Sequence, residues 1–208
     1  MPAAVRPPLT RRRAETRQRL LDAALVVFAH EGFGRSTVEQ VCEQAGFTRG
    51  AFYSNFSSLD ELFLAMWEQR SAQLLADLQE TVADEAVDGI RTVRQAVEHL
   101  LPAVPVDDEW YRITAEFTAH ALRNPSLRKV MAAREKAITD TITPVLERSL
   151  KGTGRRVTNR SALGQALIAV HDGTTVQCLI EPDDETVQKR RLDLMVHVVL
   201  AYTKEIDR

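Results

Sequence analysis

The sequence predicts an all-α fold of about nine helices. Apolar residues recur with the 3.6-residue period of amphipathic helices over most of the 208 residues, and the two-residue alternation typical of strands is scarce. The chain has 9 glycines and 8 prolines, few enough for long uninterrupted helices. We expect a three-helix bundle at residues 10–57, a larger helical domain at residues 58–208 and a flexible proline-rich arm at residues 1–9.

The formal net charge of −2 is distributed unevenly along the chain. Residues 1–56 carry eight basic and five acidic residues, and the remaining residues carry 19 basic and 24 acidic ones. A positive segment on an otherwise acidic chain favours contact with a polyanion such as nucleic acid at the N-terminal end.

The sequence lacks the segments and motifs that would indicate a membrane, a secreted or a cofactor-binding protein. No apolar stretch is long enough to span a bilayer, and the N-terminus lacks the apolar core of a signal peptide, so we expect a cytoplasmic protein. Cys42 and Cys178 occupy apolar helical positions without metal-ligand spacing, and we interpret both as buried thiols. The sequence contains no phosphate-binding loop and no other cofactor motif, so neither a metal nor a cofactor is predicted.

The first helix begins at a run of arginines and ends near Gly32. An arginine run is usually only a solvated face. Beside the motif described next, however, we interpret it as reaching the DNA backbone or minor groove, with Arg13 as the candidate contact. The inward stripe of this helix consists of Leu21, Ala24, Leu25 and Phe28.

A short second helix is predicted to begin at Ser36. Ser36 and Glu39 match a capping box, in which the serine hydroxyl accepts from the N–H of Glu39 and the carboxylate accepts from the N–H of Ser36. Thr37 would then point outward. Gly46 ends the helix because glycine tolerates the left-handed conformation. The stripe facing the core consists of Val38, Val41, Cys42 and Ala45.

A third helix is predicted with Thr48 as its N-cap and with Phe52 and Phe56 one turn apart on its buried side. Its outward groups suit the phosphates and base edges of a DNA groove, and a glycine there leaves no side chain between helix backbone and DNA. The spacing alone fits a solvated helix pair in any helical bundle equally well. The outward residues are Arg49, Gly50, Tyr53, Ser54 and Asn55.

Two stretches of this region resemble the DNA-binding domain of the tetracycline-repressor (TetR) family. They are Phe33-Gly34-Arg35-Ser36-Thr37-Val38 and Ala45-Gly46-Phe47-Thr48-Arg49-Gly50-Ala51-Phe52-Tyr53-Ser54-Asn55-Phe56. The resemblance implies that six residues lie at the DNA, with the tyrosine and the hydroxyls mostly at phosphates: Thr37, Thr48, Arg49, Gly50, Tyr53 and Asn55. One position departs from the family pattern, because Leu59 stands where the family usually carries a lysine.

Six further helices are predicted, at about residues 58–82, 87–101, 108–123, 124–150, 159–180 and 184–205. Three starts carry capping signals, namely a capping box at Ser58, Asn124 followed by proline, and Asp184. Pro144 should kink or interrupt the helix that contains it. The basic loop that precedes Asn159 is expected to be exposed and mobile.

Large or polar side chains on the central helices are candidates for an effector pocket. The resemblance implies that a small molecule in this domain changes the spacing of the reading helices and releases the DNA, and the residue mixture suggests a mostly apolar effector. Aromatic and methionine residues at helical spacing are, however, more often core. We interpret Glu116 and His120, one turn apart, as a hydrogen-bonded pair rather than as metal ligands. The candidates are Trp67, Trp110, Phe117, His120, Met131, Arg134, Asp172 and Gln177.

The last two helices carry more apolar and small residues than one helix pair can bury. In the TetR family these helices pair with their two-fold copies into a four-helix interface, and Asp172-Gly173 ahead of Leu179-Ile180-Glu181-Pro182 resembles the matching segment. The alternative is an ordinary core within one chain. The interface candidates are Leu163, Leu167, Val170, Gly173, Thr174, Leu192, Met195 and Val199.

The resemblance implies a ligand-responsive regulator, a repressor by the family's usual mode. It would bind a pseudo-palindromic double-stranded DNA operator as a homodimer. One alternative is a helical-domain enzyme, for which the sequence offers no catalytic motif. A second alternative is a helical interaction protein without DNA affinity, and Leu59 is the feature that favours it.

Overall fold

A computed structural model describes residues 11–83, 89–104 and 106–206, except the side chains of residues 82 and 83. These residues form nine α-helices and a two-stranded sheet, which confirms the predicted helical fold. The predicted arm at residues 1–9 lies outside the described residues. The helices are α1 (Arg11–Glu31), α2 (Val38–Ala45), α3 (Arg49–Tyr53), α4 (Leu59–Ala83), α5 (Val93–Leu100), α6 (Asp108–Ala121), α7 (Pro125–Ser149), α8 (Arg160–Ile180) and α9 (Glu185–Ala201). The strands are β1 (Arg155–Val157) and β2 (Thr203–Glu205).

The helices divide into two compact units. The first comprises the residues up to Gln69 together with Arg112–His120 of α6, and the second comprises Arg70–Tyr111 and the residues from Ala121 onwards. Both α4 and α6 therefore contribute residues to each unit. The functional boundary predicted after residue 57 stays a prediction.

Aromatic side chains form the core of the first unit. Phe63 on α4 stacks on Phe117 on α6 with ring centroids 3.7 Å apart, and Phe33 meets Phe117 edge-on at 4.9 Å. Phe28 on α1 meets Phe33 at 5.1 Å. Such pairs contribute beyond the area that they bury. The side chain of Phe117, which is 0% exposed, therefore anchors the α6 segment in the core of the first unit.

The same segment makes polar contacts that correct the predicted pairing of Glu116 with His120. Glu116 Oε2 accepts from the N–H of Gly34 at 3.4 Å, whereas His120 Nε2 lies 3.2 Å from Asp60 Oδ1. Gly32 has a φ of 83°, and a Cβ there would lie 2.7 Å from Glu116 Oε2. The two side chains therefore point to different neighbours, because tertiary partners outcompete the contact within one helix.

Helices α5, α7, α8 and α9 enclose the core of the second unit. Helix α7 continues through Pro144, so the predicted interruption is wrong, and the alternative of a kink stays a prediction. The proline lies on an exposed side of the helix, where water can satisfy the carbonyl that loses its helical partner. The core residues are Ile90, Val93, Ala96, Val97, Leu146, Leu150, Leu163, Met195, Val196 and Val199.

Two predicted boundaries differ from the structure. The helix expected from residue 87 begins at Val93, because Thr92 and Gln95 form a capping box there, and residues 84–88 lie outside the described part of the chain. The last helix ends at Ala201. Residues 203–205 then pair antiparallel with residues 155–157, in the loop that was expected to be exposed and mobile. In that pairing, Arg155 Nε donates to Thr203 Oγ1 at 3.0 Å.

Gly164 marks a close approach between α8 and α7. A Cβ at this position would lie 2.8 Å from the Cβ of Thr139 and 3.0 Å from its Cγ2. Overpacking costs about 1–3 kcal/mol, and replacing a mid-helix glycine by alanine gains about 0.5–1 kcal/mol. We therefore expect Gly164→Ala to lower the free energy of unfolding by about 1–2 kcal/mol in urea titrations.

The exposed neighbour Gln165 provides the control for this substitution. Gln165→Ala should stay within about 0.5 kcal/mol of the unsubstituted chain. Equal denaturation midpoints for the two variants would contradict the close approach of the two helices.

Candidate nucleic-acid interface

Helices α2 and α3 form a helix-turn-helix, and a threonine caps the N-terminus of each helix. Thr37 Oγ1 accepts from the N–H of Gln40 at 3.2 Å, and Gln40 Oε1 accepts from the N–H of Thr37 at 2.8 Å. The capping box predicted at Ser36 is therefore wrong by one residue. The Ser36 hydroxyl instead donates to the carbonyl of Gly32, so the preceding turn uses it. Thr48 is confirmed as the N-cap of α3.

The turn between the two helices is held by α1. Gly46 adopts the predicted left-handed conformation, with φ 68°, and its N–H donates to the carbonyls of Cys42 and Glu43. Arg19 on α1 donates from Nη2 to the carbonyl of Ala45 at 2.7 Å. The same guanidinium lies 4.5 Å from the ring centroid of Phe47, a cation–π arrangement. The angle between α2 and α3 is thus tied to the longest helix of the bundle.

The solvent side of α3 carries a cation and a phenol in contact with each other. The guanidinium carbon of Arg49 lies 5.9 Å from the centroid of the Tyr53 ring. Tyr53 is 50% exposed. Arg49 Nη1 lies 2.9 Å from Oε1 of Glu39 on α2. A hydrogen bond with Tyr53, followed by the charge of Glu39, raises the pKa of Arg49. The opposite side of α3 is fixed in the core by Phe52, which is 0% exposed.

Glu39 is the residue of this surface that sequence reasoning missed, because it was given only a capping role. Its carboxylate instead pairs with Arg49 across the turn, and both side chains are exposed by more than half. The available signal was an acid on the first turn of α2 that a cap at Thr37 leaves free to point outward.

The eight predicted DNA contacts all lie in the first unit, and all are exposed except Asn55, which is partly buried. Arg13 donates from Nη2 to the carbonyl of Ser54 at 2.7 Å. Asn55 Nδ2 donates to the carbonyl of Ala51 at 2.9 Å. Arg13 and Asn55 therefore fix the end of α3. The other predicted contacts are Thr37, Thr48, Arg49, Gly50, Tyr53 and Ser54.

Two family models match the chain over most of its length. Residues 20–66 match the family described as bacterial regulatory proteins, tetR family. Residues 89–205 match the C-terminal domain described as a BetI-type transcriptional repressor. The chain belongs to the TetR family.

Individual TetR-family relatives agree with this assignment. The HTH-type transcriptional regulator AcrR of Shigella flexneri is 31% identical over 106 residues, which cover 51% of this chain and 49% of that protein. The chain thus spans about half the length of this relative. The HTH-type nicotine-responsive transcriptional repressor HdnoR of Paenarthrobacter nicotinovorans is 27% identical over 198 residues, covering 92% of this chain and 96% of that protein.

A solved structure shows the same fold. The structure of Salmonella enterica GusR superposes with a TM-score of 0.71 at 20% identity, covering 92% of this chain and 98% of that one. The relatives are named transcriptional regulators, so membership of the TetR family favours a regulator over an enzyme.

The eight effector candidates are divided between the two units of this TetR-family chain. Trp67, Phe117 and His120 lie in the first unit. Phe117 belongs to the aromatic core there, so the structure favours the core alternative for it. The candidates in the second unit are Trp110, Met131, Arg134, Asp172 and Gln177. Among these, Trp110 makes a cation–π contact with Arg70, whose guanidinium carbon lies 4.8 Å from the ring centroid. Asp172 and Gln177 are exposed.

Most of the eight dimer candidates pack inside the second unit. Leu163, Met195 and Val199 belong to its core, and Leu167, Val170 and Leu192 pack against that core. Thr174 is also buried. Gly173 is exposed, and a Cβ there would meet no atom within 4 Å. The large apolar side chains that α8 and α9 expose are Ile180, Leu194 and Leu200.

Other site types find little support in the described part of the chain. No helix there is long and apolar enough to cross a membrane. The described residues also hold no group of three histidine, cysteine or acidic side chains that could bind a metal. Cys42 and Cys178 are 4% and 2% exposed, which confirms the predicted buried thiols.

Sequence reasoning also missed a buried charge in the second unit. Arg191 on α9 is 5% exposed. The signal was its position, four residues after Val187 and four before Met195, on a stripe that is otherwise apolar.

Proposed function

We propose that this TetR-family member is a ligand-responsive transcriptional repressor of the cytoplasm. It binds double-stranded DNA through α2 and α3 as a homodimer, on a pseudo-palindromic operator, and a small effector bound in the second unit releases it. The observation that carries the proposal is the exposed Arg49–Tyr53 pair on α3, since a guanidinium and a phenol on a reading helix suit base edges and phosphates.

Response to a ligand is supported by similarity and by connectivity. HdnoR is a nicotine-responsive repressor by name, and it matches 92% of this chain. Helices α4 and α6 each contribute residues to both units, so a change in either helix can pass along a continuous helix. A ligand acts on such an equilibrium only through unequal affinity for the two states.

The proposed dimer is supported by the way in which helix-turn-helix proteins usually bind DNA. Two copies place their reading helices in successive major grooves, about 34–36 Å apart. The exposed side of α8 and α9, with Gly173, Ile180 and Leu194, offers small and apolar surface for a second copy. Selection from random DNA should recover a pseudo-palindromic site. Recovery of no site, or of a single half-site by a monomer, would contradict the proposal.

The sharpest test compares two substitutions on α3. We expect Arg49→Ala to weaken operator binding and to relax base preference by about 1–3 kcal/mol, because a guanidinium reads base edges. Tyr53→Phe should instead weaken binding to all sequences and leave the slope of log affinity against log salt nearly unchanged, because a phenol hydroxyl donates to a phosphate without neutralising its charge. Titrations of operator and scrambled DNA across salt concentrations measure both effects.

Arg94 provides the matched control, since it is an exposed arginine of the second unit that pairs with Asp193 at 2.5 Å. Arg94→Ala should leave operator affinity unchanged. Thr37→Ala is a poorer probe than Tyr53→Phe, because it also removes the α2 cap at a cost of about 0.5–2 kcal/mol. Unchanged binding in Tyr53→Phe would contradict the phosphate contact.

A further inference from the structure

The buried guanidinium of Arg191 has no acidic partner among the described residues. Its Nη2 donates to the carbonyl of Val104 at 2.9 Å and lies 3.3 Å from Nδ1 of His171. Its Nε is buried and makes no hydrogen bond to any described residue. Burial lowers the pKa of Arg191, and no carboxylate in the described part of the chain acts in the opposite direction.

The face of α8 beside Arg191 supplies neutral polar groups. Burial, followed by the charge of Arg191, lowers the pKa of His171 to about 4, so this imidazole is neutral near neutral pH. Thr175 lies one turn further along α8 and is 4% exposed, and its hydroxyl has no hydrogen-bond partner either. Cys178, which is 2% exposed, follows on the same face. Two buried donors on facing helices thus have no partner among residues 11–83, 89–104 and 106–206.

A lone cation in this position is unfavourable unless an anion compensates it. Burying an unpaired charge costs far more than burying a hydrogen-bonded one, and an apolar side chain would suit the stripe shared with Val187 and Met195 better. The N–H groups of a guanidinium form a planar fork that matches the two oxygens of a carboxylate. One guanidinium balances one negative charge, which suits a carboxylate better than a phosphate dianion.

We propose that Arg191, His171 and Thr175 form a subsite for the carboxylate group of the effector. The Nε–H of Arg191 and the Thr175 hydroxyl donate to the carboxylate, and neutral His171 holds the guanidinium in place. The apolar remainder of the effector lies against the aliphatic side chains of α8 and α9. This assignment rests on the proposed function only where it says that the bound molecule acts as an effector.

The test is calorimetric titration of the full chain with straight-chain carboxylates from acetate to dodecanoate, each compared with its uncharged amide. We expect octanoate to bind roughly 10- to 100-fold more tightly than octanamide, the range for hydrogen bonds to a charged group. Arg191→Met should remove this preference and leave the chain folded, because it replaces a buried charge by an apolar side chain of similar length. Thr175→Val, which keeps the side-chain shape, should weaken the binding of octanoate and leave the binding of octanamide unchanged.

The exposed Arg94 again provides the control, and Arg94→Met should keep the preference for the carboxylate. Equal affinity for acids and amides, an unchanged preference in Arg191→Met, or no saturable binding by any member of the series would overturn the subsite. Sodium phosphate at matched ionic strength that competes fully with octanoate would overturn the assignment to a carboxylate. Binding that depends on Arg191 but does not release operator DNA would leave the subsite standing and contradict the proposed response to ligand.

Discussion

Replacing Phe117 by alanine is expected to destabilise the DNA-binding unit by about 3–5 kcal/mol. The side chain is 0% exposed, and it stacks on Phe63 and meets Phe33 edge-on. Alanine would leave a cavity between three helical segments that cannot collapse without moving the 3₁₀ turn before α2. Because α2 and α3 depend on this core, operator affinity should fall together with the folded fraction.

Urea denaturation, followed by circular dichroism, measures the loss, and Thr118→Ala on the same helix is the control. Thr118 is exposed, so its substitution should change the free energy of unfolding by less than about 0.5 kcal/mol. Phe117→Leu separates a core role from an effector contact. It should cost stability in proportion to the lost packing and leave the effector concentration for half release unchanged. Similar denaturation midpoints for Phe117→Ala and Thr118→Ala would contradict the core role.

Local signals in the sequence predicted the helices well where capping chemistry fixes them. Asn124 followed by Pro125, Asp184 and Gly46 each end or start a helix as predicted. The start of α2 was displaced by one residue because two adjacent hydroxyl residues both match a cap, and only the three-dimensional turn assigns Ser36 to the carbonyl of Gly32. The strands are three residues each, too short for a period-two pattern.

The candidate DNA surface was predictable because a helix-turn-helix places its outward residues by local geometry. Contacts that depend on distant segments were not. Phe117 was a candidate for the effector pocket because it is a large aromatic residue, yet its side chain packs in the core of the first unit. The predicted dimer residues on α8 and α9 show the same limit, since an apolar stripe indicates burial without saying whether the partner helix belongs to the same chain. Arg191 was overlooked because sequence reasoning followed the apolar members of its stripe.

Acidification is expected to destabilise the second unit through His171. Burial and the neighbouring Arg191 lower the pKa of this imidazole from 6.5 to about 4. Between these two values the unfolded chain binds a proton that the folded chain does not, so stability is fully present above the unfolded pKa and falls as pH decreases toward the folded one. The full difference corresponds to about 3 kcal/mol. About 1 kcal/mol of it should be lost between about pH 7 and about pH 5.5.

Two acidic side chains also change their pKa on folding, so a variant of His171 is needed to isolate the effect of the histidine. Burial raises the carboxyl pKa values of Glu135 and Asp172, and the charge of Asp172 raises the pKa of Glu135 further. A raised carboxyl pKa favours the folded state as pH falls, so these two groups oppose the histidine effect. Urea titrations from about pH 7 to about pH 5.5 should show the decline. His171→Asn, which cannot titrate but keeps an acceptor for Arg191, should flatten it. An equal slope in both proteins would show that the imidazole titrates alike in the folded and the unfolded chain, and would contradict the lowered pKa of His171.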